Sequence, residues 1–362
     1  MKEKSNKKMM ILSFLGIIFV VLGHMGDTNN ILDIIFPFYS FHMALFIFIS
    51  GYFYKESYEN NLKEYIFYKF KKLVIPYFAW NVVYGLILVV LKHYNVVVFG
   101  DDFNLYSLFV RPWIDGHQFS LNIAGWFILA LFLVNVVYIL IRILMKKLKI
   151  WNDYVFLSIF FLICVVSVVY SLNASDFMIP ILRTGFFMFF YQFGLVYKSI
   201  EGKIKLDPLL KLGIIVIIQI IILHIEPSIN YYAVFMKFSG WSGLTPIITS
   251  ITGILFWLTI SDILLPIFKD NGIVNYVSCH TKEIMFHHIF WIFIINSILK
   301  IINVPNFDNG KYMTNVYYLY TFGISYAPVF YSFICLIMPV LVHFIYEKFV
   351  YIFKNVLGRK AN

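Results

Sequence analysis

Stretches of about twenty apolar residues recur along this chain, each long enough to cross the roughly 30 Å hydrocarbon core of a bilayer as a helix. They fall near residues 9–25, 34–54, 73–91, 125–145, 155–170, 179–197, 209–223, 244–267, 283–302 and 327–353. Inside lipid every backbone N–H and C=O must find a partner within the protein, which restricts such segments to helices. Composition agrees: 61% of the 362 residues are hydrophobic and 13% are charged. A soluble domain carries about 45–50% and about 25%. The expected architecture is all-α, a polytopic integral membrane protein with about ten transmembrane helices. One membrane domain over residues 1–362 is expected, without an appended soluble domain.

The net charge of +10 would suggest nucleic acid in a soluble protein, but here the basic residues lie between the apolar runs. With the N-terminal Lys2, Lys4, Lys7 and Lys8 in the cytoplasm, alternation puts Lys55, Lys63, Lys69, Lys71 and Lys72 on the same side. Arg142, Lys146, Lys147, Lys149, Lys198, Lys203, Lys205 and Lys211 follow, as do Lys269, Lys282, Lys348, Lys354, Arg359 and Lys360. Few cations fall outside, which is the positive-inside pattern and predicts both termini cytoplasmic. The N-terminus has a basic start and an apolar run but no small-residue cleavage site, so it reads as a retained first helix. Cys164, Cys279 and Cys335 form neither a metal-ligand spacing nor a disulfide framework.

Ionisable groups at membrane depth are costly and face protein or water. His24 closes the first apolar run and His42 lies in the second. A short connection makes these spans antiparallel neighbours, with both histidines in the outer half. On periodicity each either hydrogen-bonds a neighbouring helix or faces a shared cavity, where imidazole could activate a hydroxyl or relay a proton. His287 and His288 are adjacent, so they point about 100° apart and at most one faces a given cavity. Neither has zinc-site spacing, and no metal is expected. Lys69, Lys71 and Lys72 stand at the inner mouth of the third span, one turn before Pro76, which should bend or loosen the helix. They either anchor to lipid headgroups or dock a phosphorylated donor. Arg183, at the outer start of the sixth span, either snorkels or orients a substrate, and Trp126 is an interfacial aromatic or a sugar platform.

The segments "VVLGH", "FHMALFIFISGYFYK", "KFKKLVIPYFAW", "GWFILALFLVN", "FFMFFYQFGLVYK" and "HTKEIMFHH" occur in this order along nearly the whole chain. Together they resemble integral-membrane acyltransferase family 3, related to polysaccharide O-acetyltransferases and intercellular-adhesin acyltransferases. The resemblance implies ten spans and transfer of an acyl group, often acetyl, from cytoplasmic acyl-CoA to a hydroxyl of an extracytoplasmic or lipid-linked glycan. It implies catalytic roles for His24 and His42 and donor binding at Lys69, Lys71 and Lys72. Trp126, Arg183 and His288 are the candidate substrate contacts. The donor would be acetyl-CoA or another acyl-CoA, with no metal. The setting would be a bacterial inner membrane, with lipid, the glycan acceptor and polysaccharide-synthesis proteins as partners and no nucleic acid. The sequence departs from the family pattern at Ser13, where an arginine is usual, at Met10, where an acid is usual, and at Ala44, where the second-span motif has proline. The competing readings are a transporter or exporter of a glycan or small solute, and a scaffold of surface-polymer synthesis.

Overall fold

A computed structural model describes residues 6–26, 31–96, 100–227, 229, 231–238, 243–323 and 326–358. Lys2, Lys4, Arg359 and Lys360 lie outside them. The chain is 79% helical. Its strand content among the described residues is one antiparallel hairpin, β1 (Tyr231–Tyr232) and β2 (Lys237–Phe238), so the all-α expectation holds.

Helix α1 (Lys7–Gly23) begins where the Asn6 side chain accepts the free N–H groups of Lys8 and Met9. It is followed by α2 (Phe38–Tyr52), α3 (Leu62–Lys69), α4 (Ile75–His93), α5 (Trp126–Lys147), α6 (Asp153–Ser171) and α7 (Ile179–Ile200). Then come α8 (Pro208–Ile225), α9 (Thr245–Phe268), α10 (Gly272–Cys279), α11 (Thr281–Ile301) and α12 (Ala327–Gly358). Among the described residues, eight helices are long and apolar enough to cross a membrane. The two shortest of the ten expected segments are α1, with 17 residues, and α2, with 15. Each of the ten apolar runs of the sequence coincides with a helix. Between α3 and α4, Phe70–Val74 forms one wide π-type turn directly before Pro76. Proline has no N–H to close the normal bond there, so the loosening expected at this point is a widened turn.

Burial separates the inside of the bundle from its periphery. The apolar window of α7 is 78% buried and that of α8 only 11%. Helix α7 packs between α2 and α6, α1 packs on α2, α9 and α10, and α11 on α12. The crossing of α2 and α7 is exceptionally close. A Cβ built on Gly51 would lie 1.9 Å from the Tyr191 carbonyl oxygen, and one on Gly194 would lie 2.1 Å from that of Phe48. Only glycine permits this approach, the small-residue packing typical of membrane helices. It fixes the helix that carries His42.

One of the cations assigned to the inner side by the charge pattern is not a simple headgroup anchor. Arg142 is 1% exposed and donates to Glu59 at 2.8 Å, Glu56 at 2.9 Å and Asp153 at 2.6 Å. With three carboxylates around it, this guanidinium ties α5 and α6 to the segment that follows α2.

Candidate active site

The chain leaves α1 through His24, whose backbone N–H bonds the Val21 carbonyl at 3.1 Å. Gly23 and Gly26 flank it without side chains, so its imidazole opens onto a cavity of about 440 Å³. "Outer" below means the end where α1 finishes and α2 begins, as the charge pattern orients the chain. His24, Tyr39, His42, Trp126 and Met285 line the cavity from the helices. His117, Tyr317 and the hairpin residues Tyr231–Phe235 close it from the loops.

The aromatic rings of the site are in mutual contact. His24 stacks on Tyr317, with centroids 5.3 Å apart and 2° between planes, and lies 5.1 Å from the ring of His288. The Tyr39 hydroxyl pairs with His24 Nδ1 at 3.3 Å, and the Tyr39 ring is 5.2 Å from that of His42. His42 and His288 solve the same problem in the same way. Each directs Nδ1–H at the carbonyl four residues back, Phe38 for His42 and Ile284, at 2.7 Å, for His288. That hydrogen bond selects the tautomer whose Nε2 carries the lone pair. His288 is fully buried, and its Nε2 has no hydrogen-bond partner among the described residues. The same is true of Gln118 Oε1, Ser120 Oγ and both side-chain polar atoms of Asn122. They belong to the loop and the short helical segment Ser120–Gly125, which packs against α11. The unpartnered Nε2 of His288 is a proton acceptor, and the serine hydroxyl and asparagine amide of the segment packed on its helix are donors, groups of the kind that take up a proton and hold a developing negative oxygen.

His117 lies in the outer loop, outside the spans. Burial is the main cause that lowers its pKa to about 4, with the nearby Arg111 and Arg183 acting in the same direction against Asp115. It meets the cavity as a neutral imidazole at ordinary pH. Gly116, with φ +72°, makes this possible: a Cβ there would lie 2.5 Å from that of Trp126.

The residues singled out in the sequence are distributed as follows. His24, His42 and Trp126 line the one cavity, and His288 lies directly behind His24. His287 points elsewhere, its Nδ1 pairing with the Tyr84 hydroxyl at 2.6 Å, as the 100° offset requires. Arg183 neither snorkels nor lines the cavity. It is 1% exposed, donates to the carbonyls of Val234 at 2.8 Å and Ile114 at 3.2 Å, and lies over the Trp126 ring at 5.1 Å. As a substrate contact it is therefore corrected to a support: it holds the loop and the aromatic that do line the site. Lys69, Lys71 and Lys72 line no part of the cavity. They sit on α3 and the widened turn, where Lys71 lies over the Phe67 ring and Lys72 over that of Tyr68. Below His24, Ser13 is half-buried, and Lys8 is committed to Asp262 at 2.9 Å and to the Tyr197 hydroxyl at 3.0 Å. Sequence reasoning passed over Tyr39, His117, Tyr317 and the 231–235 hairpin. Tyr39 alone had a local signal, lying one turn before His42 on the same helix.

A family profile described as an acyltransferase domain matches residues 11–348, nearly the whole chain. The chain belongs to acyltransferase family 3. No curated protein and no solved structure matches it. It is a multi-pass membrane acyltransferase, which sets aside the transporter and scaffold readings. In this acyltransferase, the end of the first helix and the middle of the second contribute the two histidines that line the same cavity.

Proposed function

We propose that this acyltransferase moves an acyl group, acetyl in the simplest case, from cytoplasmic acyl-CoA to a hydroxyl of an extracytoplasmic or lipid-linked glycan, in a bacterial cell membrane. The observation that carries the reading is the meeting of His24 and His42, from antiparallel helices, in one cavity walled by aromatic rings and closed by outer loops. Stacked rings such as Trp126 and Tyr317 suit the apolar faces of sugars. The hydroxyls of Tyr39, Tyr231 and Tyr232 and the imidazole of His117 suit their hydroxyls.

In the proposed reaction the acceptor hydroxyl loses its proton to an imidazole Nε2 as its oxygen attacks the thioester carbonyl. The C–O bond forms, the tetrahedral oxyanion collapses, the C–S bond breaks, and the proton passes to the departing thiolate. His24 is assigned the proton transfer, or transient carriage of the acyl group. His42 is assigned a share in orienting the acceptor. Lys71 and Lys72 are exposed and Lys69 is half-buried, and this basic cluster is assigned to the donor's phosphates at the inner mouth. Ser13 lies about 16 Å below His24 along α1, at 1.5 Å per residue, so the donor path past it lacks the charge that the family usually places there.

The test is acyl incorporation into surface glycan in cells carrying His24→Ala, together with turnover of radiolabelled acetyl-CoA by the purified protein. Loss of both in the variant supports the proposal. Wild-type glycan acylation in that variant would sink it.

A further inference from the structure

At the inner end of the bundle, eight residues before His288 in the chain, a second group of chemistry-bearing side chains converges from two elements. His280 occupies the joint between α10 and α11. His343 and Glu347 are one turn apart on α12. The two imidazole rings are 4.9 Å apart. Glu347 Oε1 lies 3.6 Å from His343 Nε2 and 3.9 Å from His280 Nε2. One donor atom from each of the three residues falls within 4.8 Å of the other two.

The surroundings orient these atoms. His280 Nδ1–H donates to the Tyr276 carbonyl at 2.7 Å, which leaves the lone pair on Nε2, the atom that faces Glu347. The Tyr276 hydroxyl donates to Glu347 Oε2 at 2.9 Å, which turns Oε1 toward both imidazoles. The Tyr276 ring also packs on His280 with centroids 4.1 Å apart. One tyrosine thus fixes two of the three donors, the arrangement that outer partners supply around metal ligands. Zinc takes imidazole nitrogen at about 2.0–2.1 Å and carboxylate oxygen at about 2.0–2.2 Å, so tetrahedral ligand atoms stand roughly 3.4 Å apart. The observed separations need only small side-chain adjustments to close. Two imidazoles and one carboxylate favour zinc, copper or nickel over magnesium or calcium, which prefer oxygen. The nearby cations are engaged elsewhere: Lys282 with Glu283 at 3.3 Å, and Lys348 over the Phe344 ring.

We propose that His280, His343 and Glu347 bind a divalent transition metal, zinc foremost, in a site that clamps α12 to the joint between α10 and α11. The site is separate from the acyl-transfer cavity and does not depend on what that cavity does. A sequence scan of the adjacent His287 and His288 could not find it, because the ligands come from two helical segments more than sixty residues apart.

The full chain, purified in detergent with any affinity tag removed and stripped with a chelator, is titrated with zinc, and bound metal and the thermal midpoint are read. One equivalent bound and a midpoint raised by several degrees are expected. His343→Ala and Glu347→Gln should each weaken binding at least tenfold and abolish the rise. Tyr276→Phe, which keeps all three ligands, should weaken it about tenfold. Glu347 is about half exposed, so Glu347→Gln leaves packing intact. Equal zinc uptake by the native chain and the variants, or none by the native chain, overturns the site and leaves a histidine–carboxylate cluster without a metal.

Discussion

His24 ends a helix, yet its ring is held on three sides: by Tyr317 in stacked contact, by Tyr39 through a hydrogen bond and by His288 behind. A general base held this way contributes about 10²–10⁴-fold. His24→Ala should therefore lower acyl transfer by at least about a hundredfold while leaving the thermal midpoint in detergent within a few degrees of native, read by turnover and by melting. Tyr39→Phe removes one hydroxyl and keeps the ring, so it should cost roughly tenfold and shift the acid limb of the rate profile rather than unfold the site. His117 gives a stability signature of its own. Its folded pKa of about 4 lies below the ordinary value of 6.5, so the unfolded chain binds the proton more readily. Stability is therefore full above about pH 6.5 and falls as pH drops toward 4. His117→Gln should flatten that part of the melting-versus-pH curve. The histidines could be found in the sequence because ionisable residues are rare in apolar runs. Their companions could not: Tyr317 and His117 belong to polar loops, where tyrosine and histidine are unremarkable, and they reach the cavity only through chain folding.

At the scale of the element, two contacts decide where the cavity-lining elements stand. The α2–α7 crossing depends on Gly51 and Gly194. Gly194→Leu would drive a side chain into the backbone of α2, an overpacking that costs about 1–3 kcal/mol or more. The expected outcome is a lower thermal midpoint and loss of transfer together. The second contact is Arg183 on the Val234 and Ile114 carbonyls. Arg183→Ala leaves those two carbonyls without their donor, at about 1–3 kcal/mol for each buried group left unpaired. It should raise KM for the acceptor more than it lowers kcat, with faster proteolysis around the 231–238 hairpin. The helices themselves were legible from the length of their apolar runs. Whether the arginine at its start reached outward or inward was not legible, because snorkelling and burial begin from the same sequence position. Only the fold of two distant loops supplies the carbonyls that hold it.

For the molecule as a whole, the pattern of basic residues predicts cytoplasmic termini, and the cysteines offer a check. Cys164 and Cys335 are buried and Cys279 is exposed. In intact cells a membrane-impermeant maleimide should spare Cys279 and react only after permeabilisation, whereas a cysteine placed at Lys237 should react from outside. Labelling of Cys279 in intact cells would invert the topology and put His24 on the cytoplasmic side.

The glycine crossing has a mechanical consequence. Nine residues separate His42 from Gly51, so the imidazole stands about 14 Å along α2 from the point where that helix is pinned to α7. A pinned helix cannot slide, but it can tilt. At that arm length a rotation of about 5° carries the ring through roughly 1 Å, the order of displacement that separates a productive hydrogen bond from a broken one. The glycines thus set the point about which any error in the angle of α2 would be magnified at His42, so the closeness of the crossing governs how sharply the ring is aimed.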